Sequence, residues 1–175
     1  MTNILTKITA VLTGAIIAFA SVAVLTTAQA DAFSWRSRNA GPNIAQVAVD
    51  NGNFTTLVSA LQCTGLDRVV SSRFVRLTVF APTDAAFGNL GLNADNVCET
   101  FNRRELANIL LYHVNWGVKD SDKVLSSNSL RMLNFQRAAI DPSVPSIANA
   151  ESNVDLLNIR ASNGIIHVVN DVLLP

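Results

Sequence analysis

The sequence predicts an α+β domain in which helices pack on a mixed or antiparallel β layer. Three observations lead there. From Asn43 to Val114, apolar residues recur mainly at helical spacing, broken by one short alternating run. Beyond Gly117 the apolar runs shorten and are separated by Asp, Ser, Asn, Gly and Pro, the pattern of strands and turns. Residues 31–175, the part that follows a predicted leader, have the length of one ordinary domain.

In that leader Lys7 is the only charge, and Ile8 to Leu25 is almost wholly apolar, broken by Thr9, Thr13, Gly14 and Ser21. Ala28-Gln29-Ala30 then places small residues at the two positions a signal peptidase reads, so residues 1–30 are expected to be a signal peptide cleaved after Ala30. The alternative is an uncleaved transmembrane anchor, because the apolar run is near the shortest that spans a bilayer. The A-x-A site directly behind it favours cleavage. No later stretch approaches membrane length, and Val172-Leu173-Leu174-Pro175 is too short for a lipid-anchor signal. The expected product is secreted or periplasmic, with no transmembrane segment in its mature form.

Of the 13 basic and 13 acidic residues, removal of Lys7 with the leader leaves 12 basic against 13 acidic. Arg103-Arg104 is the only adjacent basic pair, and Glu99 and Glu105 lie on either side of it. A nucleic-acid partner needs a basic stripe to neutralise phosphates, so that class is excluded. The two cysteines, Cys63 and Cys98, fall in a chain bound for an oxidising compartment, where a disulfide is the natural reading and two free thiols the alternative. A bridge closing that loop stabilises a fold by about 3–4 kcal/mol on the chain-entropy model.

Asp31 to Pro42, polar and ending in Gly-Pro, reads as a flexible amino-terminal arm, and the domain proper spans residues 43–175. Ile44, Val47 and Ala48 set a first helix; Phe54, Leu57, Val58 and Leu61 set a second behind a cap expected at Asn53. Gly52 and Gly65 close them, and Leu66 to Ser71 adds a further turn or two. Arg76 to Phe80 alternates as a short strand that Ala81-Pro82 is expected to stop. Thr83 caps the helix starting at Asp84, with Ala86, Phe87 and Leu90 inward. Asn93 to Phe101 carries Cys98 on another short helix. Arg104 to Val114 shows the clearest helical period, through Leu106, Ile109, Leu110 and His113. Strands are expected in Leu130–Phe135, Ser146–Ala148, Val154–Ile159 and Ile165–Val169, and Gln136 to Glu151 as an exposed hairpin or edge.

Three segments in order resemble the signatures of the fasciclin domain. Leu77-Thr78-Val79-Phe80-Ala81-Pro82-Thr83-Asp84-Ala85-Ala86-Phe87 is similar to the first, Leu111-Tyr112-His113-Val114 to the central Tyr-His motif, and Asn163 through Pro175, with His167 and Asn170-Asp171-Val172 inside it, to the second. The likeness covers residues 43–175. It implies helices packed on a β-sandwich-like or wedge-shaped sheet arrangement, and a secreted or surface-attached module for adhesion to a cell-surface or matrix protein or polysaccharide. The stretch Gly88 to Cys98, with Cys63, resembles a disulfide-bearing secreted subtype. The resemblance also implies structural roles for Thr83, Asp84, Tyr112, His113 and His167. Asn170-Asp171-Val172 resembles an Asp-Ile type of integrin-contacting motif, read against the alternative that Asp171 is a turn residue between two strands and Val172 is core.

Little else in the chain carries chemistry. His113 and His167 are two histidines far apart, where a metal site asks for three or four ligands, so no metal is expected. No G-x-S-x-G elbow and no glycine-rich phosphate cradle occur, so no catalytic residues and no cofactor are assigned. Asp120 and Asp122 read as a solvated turn, since a calcium loop needs about six oxygen ligands. The second functional reading is a secreted carrier of a carotenoid or lipid, held in an apolar groove between helices and sheet.

Overall fold

The computed structural model describes residues 41–141, 143, 146–148 and 158–175. The expected signal peptide, the arm up to residue 40 and most of Val154–Ile159 lie outside the described residues.

Helix α1 (Ile44–Asn51) begins with a reciprocal cap: the Gln46 N–H donates to the Asn43 side chain, and the Asn43 N–H donates to the Gln46 side chain. Helix α2 (Thr55–Thr64) ends, like α1, on a left-handed glycine, with Gly52 at φ 76° and Gly65 at φ 78°. The cap expected at Asn53 is not formed. Phe54 occupies the capping position and is buried as a core residue, so it offers the helix no acceptor. Asp84 supplies one from afar, accepting the N–H groups of Thr55 (3.1 Å) and Thr56 (2.8 Å) and the Thr55 hydroxyl (2.8 Å). Asn53 contributes its carbonyl instead, to the Asp84 N–H at 2.9 Å.

After the short α3 (Asp67–Ser71), strand β1 runs from Leu77 to Pro82 with all six residues buried. The expected stop at Ala81-Pro82 is therefore too early. Strand β2 (Val114–Trp116) pairs antiparallel with β1 only as far as Val79, so Pro82 lies beyond it and its missing N–H leaves no ladder partner unserved. Thr83 caps α4 (Asp84–Asn89) as expected, its hydroxyl accepting the Ala86 N–H at 3.2 Å. Helix α5 (Val97–Thr100) is shorter than Asn93–Phe101, because the Asn93 side chain accepts the N–H groups of Asp95 and Asn96 in a turn. Helix α6 (Arg103–Tyr112) ends one residue before His113, and Val114 belongs to β2. Helix α7 (Ser121–Leu125) replaces the expected solvated turn: Asp120 is its cap and accepts the Lys123 N–H at 3.2 Å.

The strands form two sheets. In the first, ordered β2-β1-β7-β6, β1 and β7 (Gly164–Val169) are parallel neighbours from Leu77 beside Gly164 to Pro82 beside Val169. Strands β2 and β6 (Ile159–Ala161) flank them antiparallel. In the second, β4 (Arg137–Asp141) lies between β3 (Ser129–Arg131) and β5 (Ser146–Ile147). Within the stretch expected as an exposed hairpin or edge, β4 and β5 pair antiparallel as a hairpin with β5 at the sheet edge, while Arg137 to Asp141 is the central strand, alternating with Ala138 and Ile140 buried. The segment Leu130–Phe135 leaves the strand after Arg131, and Phe135 adopts φ 68° in the turn toward β4.

Alternate faces of the first sheet serve different cores. Leu77, Val79, Ala81 and Ile166 meet the helices, where Leu57, Leu61, Phe87 and Leu110 complete one cluster. Phe80 and Val169 face the second sheet, with Tyr112, Leu130, Met132 and Ile140. Each such large side chain contributes about 1.5–3 kcal/mol on burial. The result is the expected α+β architecture of helices on paired sheets. Cys63 and Cys98 form a disulfide that joins α2 to α5, their Cα atoms 6.2 Å apart.

Candidate functional site

The three segments singled out in the sequence converge on one end of the first sheet. The Phe80 N–H donates to the His113 carbonyl at 2.8 Å, and the Thr83 N–H to the Val169 carbonyl at 3.2 Å. His113, wholly buried at the end of α6, spans from helix to tail. Its Nε2 accepts the Leu173 N–H at 2.9 Å, so that nitrogen carries no proton, and Nδ1–H donates to the Ile109 carbonyl at 2.8 Å. Burial, opposed by the Ile109 carbonyl, pushes its pKa down to about 4. One neutral tautomer therefore fills the site at ordinary pH. The neighbouring Tyr112 faces the second core instead, its hydroxyl donating to the Arg137 carbonyl at 3.4 Å and its pKa raised by burial.

His167 sits on the sheet face that meets the second core, stacked on Phe80 with ring centroids 5.5 Å apart. Its Nε2–H donates to the Lys119 carbonyl at 2.8 Å. Burial lowers its pKa, while the Lys119 carbonyl and the charge on Asp120 oppose the shift. Thr78 performs a parallel task one step along the sheet: its hydroxyl donates to the Gly117 carbonyl (2.8 Å) and accepts the Lys119 N–H (2.9 Å). His167 and Thr78 together fasten the loop that follows β2. Asp84 couples α4 to α2; burial raises its pKa, but hydrogen bonds from Thr56 and Thr55 outweigh that and hold it below the usual carboxylate value.

Asn163 was not singled out by sequence reasoning, yet it is a hub. Its amide donates to the Val70 (2.7 Å) and Ser72 (2.9 Å) carbonyls, and its oxygen accepts the Ile44 N–H at 2.9 Å. An Asn-Gly pair reads locally as an exposed turn, and nothing local shows that this side chain is buried against two helices. The Gly164 that follows lies so close to β1 that a Cβ would collide with the Leu77 carbonyl and the Ile44 side chain.

With these side chains engaged in the fold, the surface left at this end is the carboxyl-terminal rim. Asn170 is exposed, Asp171 and Val172 are half-buried, Leu173 is buried, and Leu174 is 56% exposed. No strand follows Asp171 among the described residues, which corrects the reading of it as a turn between two strands; Val172 packs at the edge of the helical core. Beside the rim, Leu90, Leu92, Phe101, Ile109 and Leu174 line an open groove of about 500 Å³ with Glu105 and Asn108 at its polar margin. The helix–sheet interface, where the alternative carrier reading places an apolar ligand, holds a cavity of only about 20 Å³ among Ile44, Leu57, Leu61 and Ile166. Ligand pockets run to several hundred Å³, so that interface is filled by its own side chains. Among the described residues, no three His, Cys, Asp or Glu side chains are grouped to hold a metal ion.

Comparison with known proteins agrees with this geometry. The fasciclin domain family model matches residues 52–175. The Synechocystis protein sll1735 is 35% identical over 133 residues, covering 76% of this chain and 98% of its own. Transforming growth factor-beta-induced protein ig-h3 of Sus scrofa is 33% identical over 132 residues, and this chain spans only 19% of its length. Immunogenic protein MPB70 of Mycobacterium bovis is 28% identical over 140 residues, 75% of this chain and 68% of that protein. Among solved structures, the FAS1 domain pair of the insect cell adhesion molecule Fasciclin I shares the fold, with a TM-score of 0.59 at 15% identity over 77% of this chain and 51% of that one. From motif order, topology and family match together, the chain belongs to the fasciclin domain family.

Proposed function

We propose that this chain is an exported, non-enzymatic adhesion module that contacts a cell-surface or matrix protein or polysaccharide through its carboxyl-terminal rim, Asn170-Asp171-Val172 with the groove beside Leu174. The observation that carries the reading is how the signature side chains are used. Thr83, Asp84, His113 and His167 all take part in hydrogen bonds that hold the fold, so they display a surface rather than act on a substrate. Family membership supports the same role, and the solved FAS1 domain pair named above comes from an insect cell adhesion molecule. Export is proposed from the leader over residues 1–30 and fits the Cys63–Cys98 disulfide.

Attachment assays with a deletion strain, complemented by the chain or by Asp171→Ala, test the proposal. Loss of attachment on deletion, with a drop of about tenfold or more for Asp171→Ala at unchanged thermal stability, is the expected result. Unchanged attachment in the deletion strain sinks it. The groove of about 500 Å³ favours one second reading, carriage of an apolar small molecule on the surface rather than between helices and sheet. Protein purified from its native source would then be coloured or release lipid on extraction, and a colourless, lipid-free product discards that reading.

A further inference from the structure

The opposite end of the first sheet carries apolar side chains that the fold does not use. Phe74, in the loop entering β1, is 99% exposed; Trp116, at the end of β2, is 61% exposed, and Val118 is 40% exposed. Backbone pairing brings them to one edge. Trp116 lies beside Leu77, and the Gly117 N–H donates to the Arg76 carbonyl at 2.8 Å, two residues after Phe74. Three cations lie next to them in the chain, one of which, Arg76, also donates to the Ser162 carbonyl at 2.6 Å. Arg73 and Arg76 are exposed on either side of Phe74, and the Lys119 ammonium donates to the Trp116 carbonyl at 3.2 Å. The nearest carboxylate in sequence, Asp120, caps α7 and pairs with Lys123 at 3.5 Å.

Exposed phenylalanine, tryptophan and valine at one end of a sheet are the kind of apolar surface that a partner or a membrane covers. Exposed Phe, Trp and Val at one sheet end, with Arg and Lys next to them in the chain, is the composition that settles at a bilayer interface, where apolar groups enter the headgroup boundary and cations meet anionic lipid. Flat stacking on sugars suits the Trp116 indole but leaves Phe74 and Val118 without purpose. We infer that the Phe74–Trp116 edge, flanked by Arg73, Arg76 and Lys119, docks the domain on an anionic lipid surface. Because β1 and β7 are parallel, Leu77 and Gly164 mark this end and Asp171 follows the other. Lipid docking therefore does not depend on the rim contact proposed above, and the two leave each other free.

The chain as secreted, with Trp35→Phe so that Trp116 is the sole indole, is mixed with vesicles of equal phosphatidylcholine and phosphatidylglycerol, and with pure phosphatidylcholine vesicles. Trp116 emission should shift to the blue and be quenched by brominated lipid. Partition into the anionic vesicles should be about 100-fold stronger than into the neutral ones, collapsing at high salt. Phe74→Ser should weaken it about tenfold and Arg73→Gln several-fold, both with an unchanged unfolding midpoint, while Asp171→Ala binds as the parent does. Absence of vesicle binding overturns the inference. Equal binding by Phe74→Ser also overturns it, as does retention on an anionic polysaccharide such as alginate without any on vesicles.

Discussion

The imidazole of His113 accepts the backbone N–H of Leu173 at 2.9 Å, joining the end of α6 to the tail that follows the last strand. Its other nitrogen donates to the Ile109 carbonyl one helical turn back. Both ring nitrogens are thus spent inside the protein. A histidine that reads in sequence as one more residue on an apolar helix face is the clasp between two distant parts of the chain.

Replacing it shows the clasp's worth. His113→Ala strands a buried N–H and a carbonyl and leaves a void, so urea unfolding should register a loss of about 3–5 kcal/mol. The tail beyond Val169 should then exchange its amide hydrogens much faster than β1 does, and equal protection of both would contradict the assignment.

Acid should act through the same ring. With the folded pKa near 4 against an ordinary 6.5, the unfolded chain binds the extra proton first as pH falls. Stability is therefore full above about pH 6.5 and declines toward pH 4, by roughly 3 kcal/mol from this group. His167, also lowered by burial, pulls in the same direction. Denaturation curves of His113→Gln between pH 4 and 7 should show a clearly flatter slope than the parent.

Asp84→Asn tests the remote cap. Its carboxylate receives two backbone N–H groups of α2, and an amide there presents one oxygen in place of two, so a loss of about 1–2 kcal/mol is expected at neutral pH. Because the folded pKa is depressed, that stability is present above the ordinary carboxylate pKa and fades as pH drops through the folded one. The variant and the parent should converge in strong acid.

Gly164→Ala places a methyl group against the Leu77 carbonyl and the Ile44 side chain, at the central β1–β7 pair. A loss of about 3 kcal/mol or more, or failure to accumulate soluble protein, is the outcome expected from overpacking against backbone. Unchanged thermal unfolding would mean that the two strands are not pressed together as described.

Reducing the Cys63–Cys98 bond, or the double change Cys63→Ser with Cys98→Ser, should lower stability by about 3–4 kcal/mol. Both cysteines are exposed, so mild reductant reaches them without prior unfolding. Proteolysis should then cut first near α5.

What could be read in advance follows a physical divide. Local signals were legible: Thr83 as a cap, Gly52 and Gly65 as helix ends, and the helical period of α6 each depend on a few neighbouring residues. Long-range ones were not. The cap of α2 comes from Asp84, the burial of Asn163 requires α1 and α3 to be in place, and Arg137–Asp141 becomes a central strand only once β3 and β5 flank it. Single-turn α7 was missed for another reason, since five residues carry too little periodicity to outweigh a pair of aspartates. At the candidate site, Thr83, Asp84, Tyr112, His113 and His167 were legible from motif order, whereas Thr78 and Asn163 act through backbone groups that only the fold brings near.

The parallel pairing of β1 with β7 also bears on how the chain matures. Leu77 emerges during synthesis long before Gly164, its neighbour in the sheet, so a central strand of the domain waits for a segment made 87 residues later. Pairings this far apart in sequence close slowly. Until they do, β1 has only β2 beside it, its other flank stays open and the polypeptide remains pliable, the state that the export proposed above requires.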